Sequence, residues 1–108
     1  MSDASQEPQA SALIAPAGRL DASAVPALER KLSAALGAGF RHLTVDLSQV
    51  TYISSSVLRC LLLAHRQADQ QESYLELVQV HPRLMDTFEL CGFDRILHCS
   101  PPSLPSVV

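Results

Sequence analysis

Glycine is scarce in this 108-residue chain, which holds only Gly18, Gly37, Gly39 and Gly92. Four glycines are too few to build a glycine-rich phosphate loop. Tryptophan is absent and lysine occurs once, as Lys31. Eight Lys and Arg against eleven Asp and Glu leave a formal charge of −3 with the arginines scattered. With no basic stripe, a nucleic-acid partner is not expected. No apolar run reaches the roughly 18–20 residues of a bilayer span, so direct membrane insertion is not expected. Residues Met1 to Pro8 lack the charged and apolar regions of a signal peptide, and the expected location is cytoplasmic.

Catalytic and metal patterns are missing as well. There is no HExxH, no CxxC and no G-x-S-x-G elbow. Cys60, Cys91 and Cys99 have no metal-type spacing, and Cys60 and Cys91 fall on apolar helix faces, so they read as small buried thiols. His42, His65, His81 and His98 stand far apart along the chain and read as surface or boundary residues. A serine nucleophile needs a base and an oxyanion donor set, and none is nominated. The expectation is a protein that is not an enzyme, with neither metal nor cofactor.

What is present is a core. Apolar residues make up 47% of the chain, enough for one domain at this length. Residues 1–10 read as a flexible N-terminus or weak edge strand. Ala12 to Ala15 is a short strand ended by Pro16 and Gly18. Gly18-Arg19-Leu20-Asp21 reads as a turn, and Ser23 as the cap of a helix with Pro26 in its first turn. Val25, Leu28, Leu32 and Leu36 give that helix one apolar face, and Gly37 and Gly39 stop it. Residues 42–47 alternate as a strand. A second helix spans Ser55 to Gln70, with Leu58, Leu61, Leu62 and His65 inward. Tyr74 to Val80 is a strand. Pro82 opens a third helix with Leu84, Met85, Phe88 and Cys91 inward and Gly92 as its stop. Ile96-Leu97 is a last short strand or docking segment, and residues 100–108 form a loose proline-rich tail.

Strands alternating with helices predict an α/β fold, a mixed but largely parallel sheet with helices packed against it. One junction stands out. Ser54-Ser55-Ser56 lies where the run Asp46 to Ile53 hands over to the second helix. A hydroxyl there can cap the helix, or carry a phosphate that the unpaired N–H groups and positive dipole end would stabilise.

The run Asp46-Leu47-Ser48-Gln49-Val50-Thr51-Tyr52-Ile53-Ser54-Ser55-Ser56-Val57-Leu58 resembles the signature of STAS domains, the anti-sigma factor antagonists. Gly18-Arg19-Leu20-Asp21-Ala22 resembles the family's G-x-L-D-A turn, and Phe88 to Leu97 its closing helix and glycine turn. The likeness covers roughly residues 11–99, which are expected to form the domain. It implies a partner-switching protein, with Ser55 as phosphate acceptor and Ser56 as the fallback. The implied partners are an anti-sigma factor with a kinase-like ATPase fold, which holds the ATP, and a PP2C-type phosphatase. Asp21 is expected near the serine loop. The expected partner surface comprises Asp21, Ser54, Ser55, Ser56, Val57, Leu58 and Arg59, with apolar contact from Val57 and Leu58 and an acid on the partner facing Arg59. Ser54 stands where the family often has an acid, and Val57 where it usually has glycine. The alternative role is a constitutive STAS subunit of a lipid-transport ABC complex or signalling assembly, without phosphorylation.

Overall fold

Pro16 and the shortness of the flanking apolar runs break the first part of the chain into small pieces, and their partners lie far along the sequence. A computed structural model describes residues 11–102. Strand β1 (Ser11–Ile14) and β2 (Gly18–Leu20) precede helix α1 (Val25–Gly37); β3 (His42–Asp46) and β4 (Val50–Ile53) precede α2 (Ser55–Gln70). Then come β5 (Tyr74–Val78), α3 (Pro82–Leu90) and β6 (His98–Cys99). A four-stranded sheet has the order β1-β3-β5-β6, and β2 and β4 form a separate two-stranded sheet. Every pairing among the described residues is parallel. The α/β class and the largely parallel sheet expected from the sequence are what the chain adopts.

Register decides what is buried. Ala12, Leu43 and Leu75 align across the large sheet, followed two residues on by Ile14, Val45 and Leu77. These rows pack under the helices, where Leu28, Leu32, Leu36, Leu61 and Phe88 close one core. The alternate rows, with Leu13, Thr44, Glu76 and His98, are exposed or half-buried, as a period of two requires.

Several local expectations are corrected. Gly18-Arg19-Leu20 is a strand, because β4 supplies its ladder partners. Gly18 keeps a φ of +83°, open to glycine and strained for other residues. Ser23 does not cap α1. It lies in a 3-10 turn, Ala22–Ala24, that Asp21 caps, and α1 starts after Ala24 with no side-chain cap. The stretch 50–53, read only as the approach to the triplet, is itself a strand. The last strand is His98–Cys99, two residues beyond Ile96-Leu97; Leu97 is buried and Ile96 exposed. Cys91 points outward at the end of α3, and Leu62 is only half-buried. Ser100 is tied down at the start of the expected loose tail, donating to Leu77 O at 3.0 Å and accepting from Val80 N at 2.9 Å. The flexible segment expected at 1–10 and the tail from 103 on lie outside the described residues.

Candidate functional site

Helix α2 begins where β4 ends, and the small β2–β4 sheet holds that junction. Leu20 pairs with Ile53, so the next residues, Asp21 and Ser54, leave the ladder side by side. Ser54 N donates to Leu20 O at 2.9 Å, which fixes the junction to β2. Ser54 has extended backbone angles and is the N-cap, its hydroxyl accepting from Val57 N at 3.3 Å while its carbonyl accepts from Leu58 N at 3.0 Å. One orphan donor of the first turn is thereby satisfied. Ser55 and Ser56, the first two helical residues, are exposed. Neither hydroxyl has a hydrogen-bond partner among the described residues, so Ser54 is the structural serine and the next two are chemically free.

Asp21 and the triplet are neighbours through the β2–β4 ladder, yet no hydrogen bond joins them among the described residues. The Asp21 carboxylate accepts from the Ser23 hydroxyl and from Ser23 N at 3.0 Å. The hydroxyl bond first, then the backbone bond, hold its carboxyl below the usual carboxylate range. The first turn of α2 contains no acid.

Val57 and Leu58 are corrected. They are 0% and 2% exposed, and their side chains belong to the core. Neither can offer apolar contact to a partner. Helical spacing puts them inward once Ser55, Ser56 and Arg59 face out, and all three of those are exposed. Arg59 has no ion-pair or hydrogen-bond partner among the described residues. It lines a shallow depression of about 220 Å³ with Val25, Glu29, Ser56, Cys60 and Leu63.

Arg19 and Tyr52, not singled out in the sequence, are the additional surface features here. They face each other across the β2–β4 ladder, with the guanidinium carbon 4.0 Å from the ring centroid. Arg–Tyr stacking of this kind pre-organises both side chains and suits them to interfaces. The sequence signal existed, since Arg19 precedes Leu20 and Tyr52 precedes Ile53, but it is legible only once 18–20 and 50–53 are paired. Three of the four histidines also meet. His42, Tyr74, His98 and His65 form a chain of ring contacts with centroids 5.2, 4.5 and 5.3 Å apart. His42 Nε2 lies 2.8 Å from Glu76 Oε2. His42, Tyr74 and His98 of this cluster stand at the starts of β3, β5 and β6, and His65 lies on α2.

Other chemistry is thin. Burial pushes the Cys99 thiol up to about 11, with Asp94 adding to it, and burial followed by Glu29 raises Cys60. Among the described residues no group of three or more His, Cys, Asp or Glu is placed to hold a metal, and no helix is long and apolar enough to cross a membrane.

The chain is a parallel α/β domain whose capped, hydroxyl-bearing second helix is held at its start by a two-stranded sheet. The family described as Mlab, STAS domain matches residues 4–98, and the chain belongs to the STAS domain family. It is 38% identical over 66 residues to BtrV of Bordetella bronchiseptica, named as a candidate anti-sigma factor antagonist, covering 61% of this chain and 57% of that one. The chain thus spans little more than half of that relative. It is 30% identical over 81 residues to the anti-sigma-B factor antagonist of Staphylococcus aureus, covering 75% of each. The fold also matches the anti-sigma factor antagonist SpoIIAA in its unphosphorylated form, at a TM-score of 0.72 and 20% identity over 84% of this chain and 80% of that one. For SpoIIAA of Bacillus in its phosphorylated form the TM-score is 0.64 at 20% identity, over 82% and 80%.

Proposed function

We propose that the chain is an anti-sigma factor antagonist acting by partner switching. Its unmodified form docks on an anti-sigma factor of kinase-like ATPase fold and thereby frees a sigma factor. Transfer of the γ-phosphoryl group of that partner's ATP to Ser55 Oγ, with loss of the hydroxyl proton and release of ADP, ends the complex. A PP2C-type phosphatase hydrolyses the ester and restores the binding form. The chain works by binding, in the cytoplasm, and needs no cofactor of its own.

The observation that carries this reading is the division of labour in the triplet. Ser54 is committed to the cap, so an exposed Ser55 can change its chemistry without unfolding α2. Phosphate adds about −1.5 to −2 charge, which a helix start tolerates and a packed interface does not. A loss of about 3 kcal/mol at the interface weakens binding about a hundredfold. The names of the Staphylococcus and SpoIIAA proteins support the role. The contact face comprises Asp21, Ser54, Ser55, Ser56 and Arg59, extended by Arg19 and Tyr52. The test is incubation with the cognate anti-sigma factor and ATP, followed by intact-mass and peptide spectrometry. One phosphate at Ser55 is expected. A phosphate only on Ser56 transfers the role to that neighbour, and none on either sinks the switch. Ser55→Asp should weaken the complex in calorimetry and Ser55→Ala preserve it.

A second reading keeps the fold and removes the switch: a constitutive STAS subunit of a lipid-transport ABC complex or a signalling assembly. It is favoured by Ser54 and Val57, which replace the residues that most often frame the acceptor. Co-purification with a membrane ATPase in place of a kinase-like anti-sigma factor decides for it.

A further inference from the structure

The phosphate would arrive next to an unclaimed guanidinium. Ser55 and Arg59 are four residues apart on α2, the spacing at which helix side chains meet, about 5–6 Å between Cβ atoms. The order, with the acidic group N-terminal to the cation, is the favourable one. Both residues are exposed. Among the described residues Arg59 has neither an ion pair nor a hydrogen bond, and Glu29, which lines the same depression, forms no ion pair with it. With no acid in the first turn of α2, nothing on the helix competes for it.

We propose that Arg59 is an internal clamp for a phosphate on Ser55. The inference rests on the phospho-switch reading and adds the mechanism of release. In the unmodified protein the guanidinium is free to meet an acidic group on the partner. Once Ser55 carries phosphate, Arg59 folds back over one helical turn and donates paired N–H bonds to its oxygens. A single modification therefore adds negative charge to the docking face and also withdraws a donor from it. Arg59 is a positioning residue here, and its effect is read on the phosphate itself.

The experiment places phosphoserine at position 55 during translation, so it is independent of any kinase. The second ionisation of the phosphate is followed by 31P NMR in the otherwise unaltered protein and in Arg59→Gln, Arg59→Lys and Arg66→Gln. Arg66→Gln makes the same change in net charge, but about 16 Å along the helix axis from Ser55, against about 6 Å for Arg59, and beyond the Debye length of about 8 Å in physiological salt. A clamp favours the dianion, so the ionisation lies below the value of about 6 for ordinary phosphoserine. Arg59→Gln should raise it by about half a pH unit, a roughly threefold change in acid constant, with Arg59→Lys recovering part of the effect. Arg66→Gln should move it much less. Equal shifts for Arg59→Gln and Arg66→Gln, or none for either, overturn the clamp. That result would leave the kinase assay on Ser55 unaffected, while a failed kinase assay would leave this titration unaffected.

Discussion

Val57 offers a test in which the sign of the answer discriminates. At an exposed helix position Val→Ala is mildly stabilising, because alanine is the better helix former by about 0.5 kcal/mol. Val57 is 0% exposed and packs in the core, so the same change deletes two buried methyl groups. At about 0.8 kcal/mol per buried carbon, plus a term for the cavity left behind, the loss is about 2–2.5 kcal/mol. Subtracting the propensity gain leaves a net destabilisation of about 2 kcal/mol for Val57→Ala. For a domain of this size that lowers Tm by on the order of 10 °C. Val57→Gly, which restores the glycine common in the family, should cost about 1 kcal/mol more through backbone entropy alone. Urea unfolding followed by circular dichroism should show the midpoint falling with an unchanged slope. A stabilised or unchanged Val57→Ala would refute the burial argument and return Val57 to the partner surface.

Removing the cap by Ser54→Ala should destabilise the protein by about 1 kcal/mol, whereas Ser54→Asp should be neutral or better because it keeps an acceptor and adds an anion at the helix start; thermal unfolding of the two checks this. The Ser23 hydrogen bonds hold the folded pKa of Asp21 below its ordinary carboxylate value of 3.8, so its contribution is complete above that value and is lost as pH falls through the lower folded value. Asp21→Asn should therefore flatten the acid limb of a stability profile below about pH 4 and change little of its slope above pH 5, as measured by unfolding across that range. Of the cysteines, Cys91 is exposed while burial raises the other two thiols, so one thiol should react fast with a chromogenic disulfide at pH 7. Three equally fast thiols would contradict the burial of Cys60 and Cys99.

Long, strongly patterned elements were legible in the sequence. Helix α2 runs from Ser55 to Gln70 as its periodicity and serine start require, and α3 opens at Pro82 and yields at Gly92, which takes a φ of +76°. Strand β3 announced itself by alternation and β5 by its β-branched and apolar residues. Strands β2 and β4 did not, because three or four residues are too few to display a period of two, and proline, glycine and serine nearby are equally the marks of turns. Ser23 illustrates the same limit: a good capping residue three positions before a proline was passed over, because Asp21, placed by β2, caps the turn that contains it. At the site, the serine junction could be found from sequence, but which of its residues face outward could not.

The sequence alone therefore determined the α/β alternation, the helix that starts at Ser55, and the lack of any metal or cofactor motif, because these depend on local pattern and residue chemistry. Tertiary structure decided the rest. Pairing of β2 with β4 set Asp21 beside Ser54 and Arg19 on Tyr52, although the paired stretches are separated by a whole helix and strand. Packing of α2 turned Val57 and Leu58 into the core and left Ser55, Ser56 and Arg59 at the surface. Hydrogen-bond partners and buried faces are supplied by distant segments, so they exist only once the chain has closed on itself.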